Sequence, residues 1–541
     1  MVDVLLVQPP IADYYHTAKR TIPYGLASIA AAVNQAGFSV AILDGMATGK
    51  SRIITPPAEL DHLSEFHGRP DHGPFGLFHL FRHYGYSLEY IGQQIKAAGA
   101  FLVGIASLFT AYSDMALAVA RIAKASLPDC TVVLGGHHPT VLPAAVMAEP
   151  AVDLVIRGEG EVALPQLASA LRKGQPLDDI PGIVFRQSSS ALHVSPPALC
   201  RDLDRLPVPA FGLIRRQFYQ RSGRDSIVIT ASRGCPFRCS YCATSADSWL
   251  TYRRRSVAGI LREIRAASSD RQVGFIDFED ENLTTDRRWF LDLMAGIRDM
   301  FSPALPELRA MNGLFPPSLD ETVVRCMKQS GFRTLNLSLG SADKDQLKRF
   351  HRPHVTDAFD RALALAGRDS LSAVGYIIVG APDQDPLSSV DDLLFLARRR
   401  VLAGVSVFYP APGSLDYQRC DTMGLLPTCF AAMRATALPI DQRTTRCDAV
   451  TLLRLGRILN FIKKLKADDM IIPNPGEVGS RLDPALNRHQ AGLRLLAAFF
   501  HDGVIRGVTP DGSVYDHQVS MRLSRRFLKG LGENAKLVSP C

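Results

Sequence analysis

In about the first 170 positions, apolar residues come in short Val/Ile/Leu-rich runs: Val4–Val7, Val40–Leu43, Phe101–Ala106, Thr131–Leu134 and Leu154–Ile156, bounded by Gly, Pro, Asp or Ser. Runs that are apolar at consecutive positions suit strands buried on both faces of a parallel sheet. Between them, Gly25–Ala36, Ser87–Ala98, Tyr112–Ser126 and Val162–Lys173 space their apolar residues as amphipathic helices do. The alternation predicts a doubly wound α/β sheet over residues 1–174, with a ligand crevice at the carboxyl ends of its strands. Those ends read "QPP", "LDG", "SLFTAY", "GGHHPT" and "RGEGE". Their small and hydroxyl residues let a bulky ligand approach the backbone.

Residues 175–225 are rich in proline, with "DDIPG", "VSPPAL" and "LDRLPVPAF", and read as a linker. The strand-helix rhythm then resumes at Ile227–Thr230, Gly274–Phe278, Leu308–Met311, Thr334–Leu339, Ala373–Val379 and Gly404–Phe408. These β/α repeats over 226–413 predict a partial (β/α)6 barrel with its chemistry at the carboxyl strand ends. The remainder, 414–541, is expected to be mainly helical: Val450–Lys466 and Ala485–His501 have helical spacing, and a hairpin turns at Pro510-Asp511-Gly512.

Composition narrows the class. The chain has 541 residues, 47% hydrophobic and 21% charged, enough for roughly three globular domains. No apolar run reaches membrane-spanning length, and "MVDVLLVQPP" carries an acid and two prolines where a signal peptide would be basic. The cytoplasm is the expected location. The net charge of +8 is spread along the chain, so nucleic acid is not an expected partner.

Three of the ten cysteines stand together in "SRGCPFRCSYCATS", at Cys235, Cys239 and Cys242. A thiolate-held 4Fe–4S cluster ordinarily takes four cysteines, so a CxxxCxxC loop leaves one iron open to an outside ligand. A zinc knuckle is the competing reading, but no other Cys or His stands at zinc spacing. The spacing, with Tyr241 before the third cysteine, a strand before the loop and a helix after it, resembles the radical S-adenosylmethionine superfamily. The resemblance implies that the amino and carboxylate groups of S-adenosylmethionine chelate the open iron, and that one-electron reduction yields a 5′-deoxyadenosyl radical.

Further matches carry the resemblance along the barrel. "VGFIDFEDENLTTD" resembles the second-strand motif, placing Glu279 and Asp280 near the methionine amino group; a solvated turn or helix cap is the alternative. "LNLSLGSADKDQLKRFHRPH" resembles the fourth-strand segment, with Ser341, Leu347 and Arg352 in step. There Arg352 would pair bidentately with the methionine carboxylate; an ordinary surface arginine on a helix is the alternative. Gly340 stands where the family has Glu, a departure that puts one cofactor contact in question.

In order along the first domain, "VLLVQPP", "PYGLASIAAAVNQAGFSVAILDG", "VGIAS", "VVLGGHHPTVLPAAVM" and "DLVIRGEGE" resemble the Rossmann-like cobalamin-binding domain that precedes the barrel in one large subfamily. The resemblance implies cobalamin bound without a marked histidine ligand, since no Asp-x-His-x-x-Gly occurs in the domain. The loop residues Ser107, Thr110, Gly135, Gly136, His137 and His138 become cofactor-binding candidates, with a structural role for the histidines left open. Five histidines, His62, His67, His72, His79 and His83, are interleaved with Phe and Leu and read as a covering loop.

The activity the resemblance implies is methylation of an unactivated carbon, with the adenosyl radical abstracting hydrogen and methylcobalamin giving the methyl group. The alternatives are a cobalamin-dependent cyclase or ring-rearranging enzyme and, more remotely, a non-catalytic cobalamin sensor. A tRNA methylthiotransferase would carry a second three-cysteine set, yet Cys130 is the only cysteine before Cys200. Expected partners are a small-molecule or peptide substrate and a flavodoxin- or ferredoxin-type one-electron reductant. The mechanism further requires the sheet's strand ends to face the barrel mouth, with "SLFTAY" and "FEDEN" bordering the substrate.

Overall fold

The structure, a computed structural model, describes residues 1–16, 21–188, 191–246, 250–269 and 271–532. All five N-terminal runs form strands: Val4–Gln8, Val40–Asp44, Leu102–Ala106, Thr131–Gly135 and Leu154–Ile156. They pair in parallel, with Val4–Gln8 between Val40–Asp44 and Leu102–Ala106. Because side chains alternate across a strand, Leu5 and Val7 enter one core with Ile91, Ile95 and Val119, while Val4 and Leu6 enter another with Leu26, Val33 and Leu164. Both faces are thus covered by helices, and each fully buried Leu, Ile or Val contributes about 1.5–3 kcal/mol.

The sheet does not stop at residue 174. Ile183–Arg186 and Leu192–Val194 add an antiparallel hairpin to its edge, pairing on Leu154–Ile156. These strands of four and three residues lie inside the Pro-rich stretch and are too short to stand out as a hydrophobic period. A second addition is a three-stranded antiparallel sheet of Ile11–Asp13, Arg82–Tyr84 and Ser51–Ile53, which ties down the ends of the His-rich segment.

The second repeat builds an open barrel of six parallel strands in two linked sheets. Arg224–Ile229, Val273–Phe278 and Glu307–Ala310 form the first; Thr334–Gly340, Ser372–Val379 and Leu402–Val407 form the second. Isolated bridges Leu308–Phe332 and Leu314–Leu337 join them. The helix packed on the last strand is Arg446–Ala467: Asn460 bonds both the N–H and the C=O of Ala403, at 2.8 and 2.9 Å. The barrel's outer layer is therefore completed from beyond residue 413. Arg488–Asp502, the hairpin of Arg506–Val508 with Val514–Asp516, and Met521–Gly532 follow; residues 533–541 lie outside the described residues. No helix among the described residues is long and apolar enough to cross a membrane.

Candidate functional site

The cysteine loop leaves the end of the first barrel strand and is pinned from three sides. At its base, the buried Asp280 accepts from the Ala231 N–H at 3.1 Å and the Ser232 hydroxyl at 2.5 Å. Burial pushes this carboxyl up to about 6 against those bonds. In the loop's middle, Ser240 donates to Asp416 at 2.8 Å, and its N–H reaches the Phe350 carbonyl at 3.0 Å. Tyr241 packs edge-on against Phe350. Burial pushes the Cys235 thiol up to about 11, with Cys242 and Cys239 adding to the effect, and it raises Cys242 as well.

Arg352 is the cation beside the thiols. One Nη donates to the Tyr241 hydroxyl at 2.7 Å and lies 3.9 Å from the Cys239 sulfur; the other reaches the Ser338 carbonyl at 2.9 Å and hydroxyl at 3.2 Å. Its Nε is buried with no hydrogen-bond partner. Gly340, at φ +80, lies alongside: a Cβ there would stand 3.5 Å from that Nε. Ser338 was not singled out from the sequence, because only the fold brings the strand Thr334–Gly340 back over the arginine.

The other barrel candidates divide. Glu279 sits at the end of Val273–Phe278, its N–H donating to Ile229 O at 3.0 Å and its carbonyl accepting from Asn312 at 3.0 Å. Ser341 is fully buried and donates to Asp392 at 2.9 and 3.0 Å, so its hydroxyl fixes the strand end to the helix Pro386–Ala397. Glu281, next to Asp280 in the chain and absent from the sequence reading, is pushed up to about 7, chiefly by burial.

In the sheet domain the strand-end loops interlock. Gly136, at φ +120, approaches Ser107 so closely that a Cβ would stand 2.6 Å from its carbonyl oxygen; that oxygen accepts from the His138 N–H at 3.2 Å. Gly135 O accepts from the Ser107 N–H at 2.8 Å. His138 is buried, 3.2 Å from the Thr110 hydroxyl and edge-on to Phe430, and burial lowers its pKa to about 4, so it is neutral. His137 is half-buried beside it. Ser107 Oγ is buried with no hydrogen-bond partner. A strap from the C-terminal part covers this end: Arg434 holds Asp13 at 3.1 Å and Ala111 O at 3.0 Å, while Thr436 bonds Asp13 at 2.9 Å. Asp13 also takes the Tyr112 hydroxyl at 2.7 Å.

The His-rich segment is spread over separate contacts. His62 faces Ala437 O at 3.0 Å, His67 faces Thr436 O at 3.2 Å, and His83 faces Tyr86 O at 2.8 Å. His72 donates its backbone N–H to Val508 O. Asp71 instead pairs with His517 at 2.8 Å, beside the buried Arg454.

The two halves touch directly. Arg233 and Arg253, flanking the cysteine loop, bond Glu159 and Glu161 of the "RGEGE" strand end. A Cβ on Gly413 would lie 3.1 Å from Val141.

A B12 binding domain model matches residues 80–168, and a Radical SAM superfamily model matches 229–396. The chain thus carries a B12 binding domain ahead of a Radical SAM superfamily domain. Domains of these two kinds take cobalamin, a 4Fe–4S cluster and S-adenosylmethionine. An uncharacterized methyltransferase of Pyrococcus horikoshii is 29% identical over 345 residues, 62% of this chain and 73% of that one. An anaerobic magnesium-protoporphyrin IX monomethyl ester cyclase of Rubrivivax gelatinosus is 27% identical over 309 residues, 55% of this chain and 54% of the cyclase. In fold, the radical S-adenosylmethionine methyltransferase TsrM of Kitasatospora setae, bound to tryptophan and a SAM analogue, gives a TM-score of 0.60 at 15% identity, covering 98% of this chain and 99% of TsrM.

The residues present fit these groups. Three free thiols on one loop are the ligand set of a cluster with an open iron, although among the described residues no three His, Cys, Asp or Glu side chains are gathered closely enough to hold a metal ion. The orphaned Arg352 Nε is a buried donor awaiting an acceptor such as a carboxylate, and Ser107 Oγ is a second buried group awaiting one at the sheet end.

Proposed function

We propose that the chain is a cobalamin-dependent radical SAM methyltransferase acting on an unactivated carbon of a small molecule or peptide. The observation that carries the reading is the direct bonding of the cysteine loop's base to a carboxyl-end loop of the B12-type sheet, which makes the two cofactor-bearing ends neighbours. When bound, the cluster with S-adenosylmethionine supplies a hydrogen-abstracting 5′-deoxyadenosyl radical, and cobalamin supplies the methyl group.

The chain's part is to hold and aim. Cys235, Cys239 and Cys242 would bind three irons and leave one open. Arg352, oriented by Tyr241 and Ser338, would grip the methionine carboxylate with its free Nε. Glu279 stands at the strand end for the methionine amino group, while Asp280 supports the loop from below. Ser107, with Gly136, His137 and the Thr110–His138 pair, frames the sheet crevice for the cobalamin tail. A flavodoxin- or ferredoxin-type protein of the cytoplasm would deliver the electron.

The similarity to the magnesium-protoporphyrin ester cyclase keeps ring formation as a second reading. Anaerobic reconstitution with iron, sulfide and hydroxocobalamin tests the first. The purified chain should retain both the cluster and cobalamin, and should release 5′-deoxyadenosine from S-adenosylmethionine on reduction. Loss of cobalamin on gel filtration, with cluster retained, contradicts a methyltransferase of this type.

A further inference from the structure

The cysteine loop and the sheet domain are joined by a closed set of buried charges. The loop's two ends run together as a ribbon, Ser232 paired with Arg254 and Arg233 with Arg253. Arg233 places one Nη 3.0 Å from Glu159 and the other 2.6 Å from Glu161. Arg253 grips both oxygens of Glu159, at 3.0 and 3.1 Å. Ser28 donates to Glu161 at 2.8 Å, and the Cys200 N–H donates to Glu159. The four charged side chains are only 5–19% exposed. Glu159 stands three residues after the strand Leu154–Ile156, and Glu161 lies in the first turn of the helix Gly160–Lys173 that follows. The turn between is fixed by Gly158 at φ +86, where a Cβ would stand 2.3 Å from Ala198 O.

Two buried arginines against two buried glutamates are a poor way to gain stability, because desolvation consumes most of the attraction. They are a strong way to fix register. A bidentate pair tolerates little displacement, and removing one partner leaves an uncompensated buried charge. We propose that Glu159 and Glu161 are positioning residues that set the separation between the B12-binding end of the sheet and the cysteine loop. The proposal rests on the methyltransferase reading only in naming cobalamin and the cluster as the two groups so positioned.

Arg253→Lys keeps the charge but loses the two-point grip, so it is the first variant; Glu159→Gln with Glu161→Gln is the second. In the cofactor-free protein, amide hydrogen exchange in the peptide spanning 234–252 should quicken at least tenfold in Arg253→Lys. The Glu321→Gln control, which removes an exposed pair with Arg325, should leave it unchanged. In holoenzyme carrying cob(II)alamin and the reduced cluster, pulsed electron paramagnetic resonance should give one narrow distance for wild type. The distribution should broaden in Arg253→Lys and more so in the double glutamine variant, with iron and cobalt content unchanged. Exchange and distance distributions identical to wild type in Arg253→Lys overturn the clamp. Wild-type protein that retains no cobalamin overturns the methyltransferase reading instead, and the exchange experiment then decides the clamp alone.

Discussion

Gly136→Ala is the sharpest single perturbation of the sheet end. Gly136 adopts φ +120 and ψ −171, a region open essentially to glycine alone and costing other residues about 1–3 kcal/mol. The added Cβ would also stand 2.6 Å from Ser107 O and 2.9 Å from Ser107 C, both backbone atoms that cannot swing aside. Overpacking of this kind adds about 1–3 kcal/mol, for a total near 3 kcal/mol or more. The loop bearing Ser107 must shift, breaking the His138 N–H bond to Ser107 O. Gly135→Ala is the matched control: a Cβ there meets only Ile156 O at 3.9 Å. In thermal unfolding, Gly136→Ala should lower the first transition by roughly 6–12 °C, taking about 2–4 °C per kcal/mol for a domain of this size, and should cut cobalamin retention. Gly135→Ala should stay within about 2 °C of wild type. Equal melting and equal cobalamin content in both variants would refute the reasoning that the close approach builds the crevice.

Cys235→Ala, Cys239→Ala and Cys242→Ala should each abolish iron and sulfide incorporation, whereas Cys420→Ala and Cys447→Ala keep both; unchanged iron in any of the first three contradicts the assignment. Burial pushes Asp392 up to about 7 although Ser341 and the Ala342 N–H both donate to it. A carboxyl raised in the fold contributes fully below its ordinary value of 3.8, and that contribution is lost as pH rises through about 7, a difference of about 4 kcal/mol. Urea unfolding at about pH 4.5 and about pH 8 should therefore show wild type losing stability relative to Asp392→Asn; parallel behaviour contradicts it.

The strands were legible because parallel strands covered on both faces must be apolar at consecutive positions, as Val4–Val7 and Leu154–Ile156 are. The cysteine loop was legible because its ligands are local. What escaped depends on long-range pairing. "RGEGE" reads as a small-residue strand end open to a ligand until the fold brings Arg233 and Arg253 onto its carboxylates. Ser341 lies in step with a cofactor motif, yet its hydroxyl goes to Asp392, a residue whose burial no local pattern reveals. Arg454, on an amphipathic helix, looks like a solvated position but is 2% exposed and bonds Phe75 O at 2.9 Å.

The central claim is that one chain couples adenosyl-radical formation to methyl transfer. The direct test incubates reconstituted enzyme anaerobically with methyl-labelled S-adenosylmethionine, cobalamin, a reductant and a panel of candidate substrates, and quantifies 5′-deoxyadenosine and S-adenosylhomocysteine together. The account expects both in comparable amounts, with label in the product, whenever a true substrate is present. Substrate-dependent 5′-deoxyadenosine without S-adenosylhomocysteine or transferred label would contradict it and point to cyclisation or rearrangement.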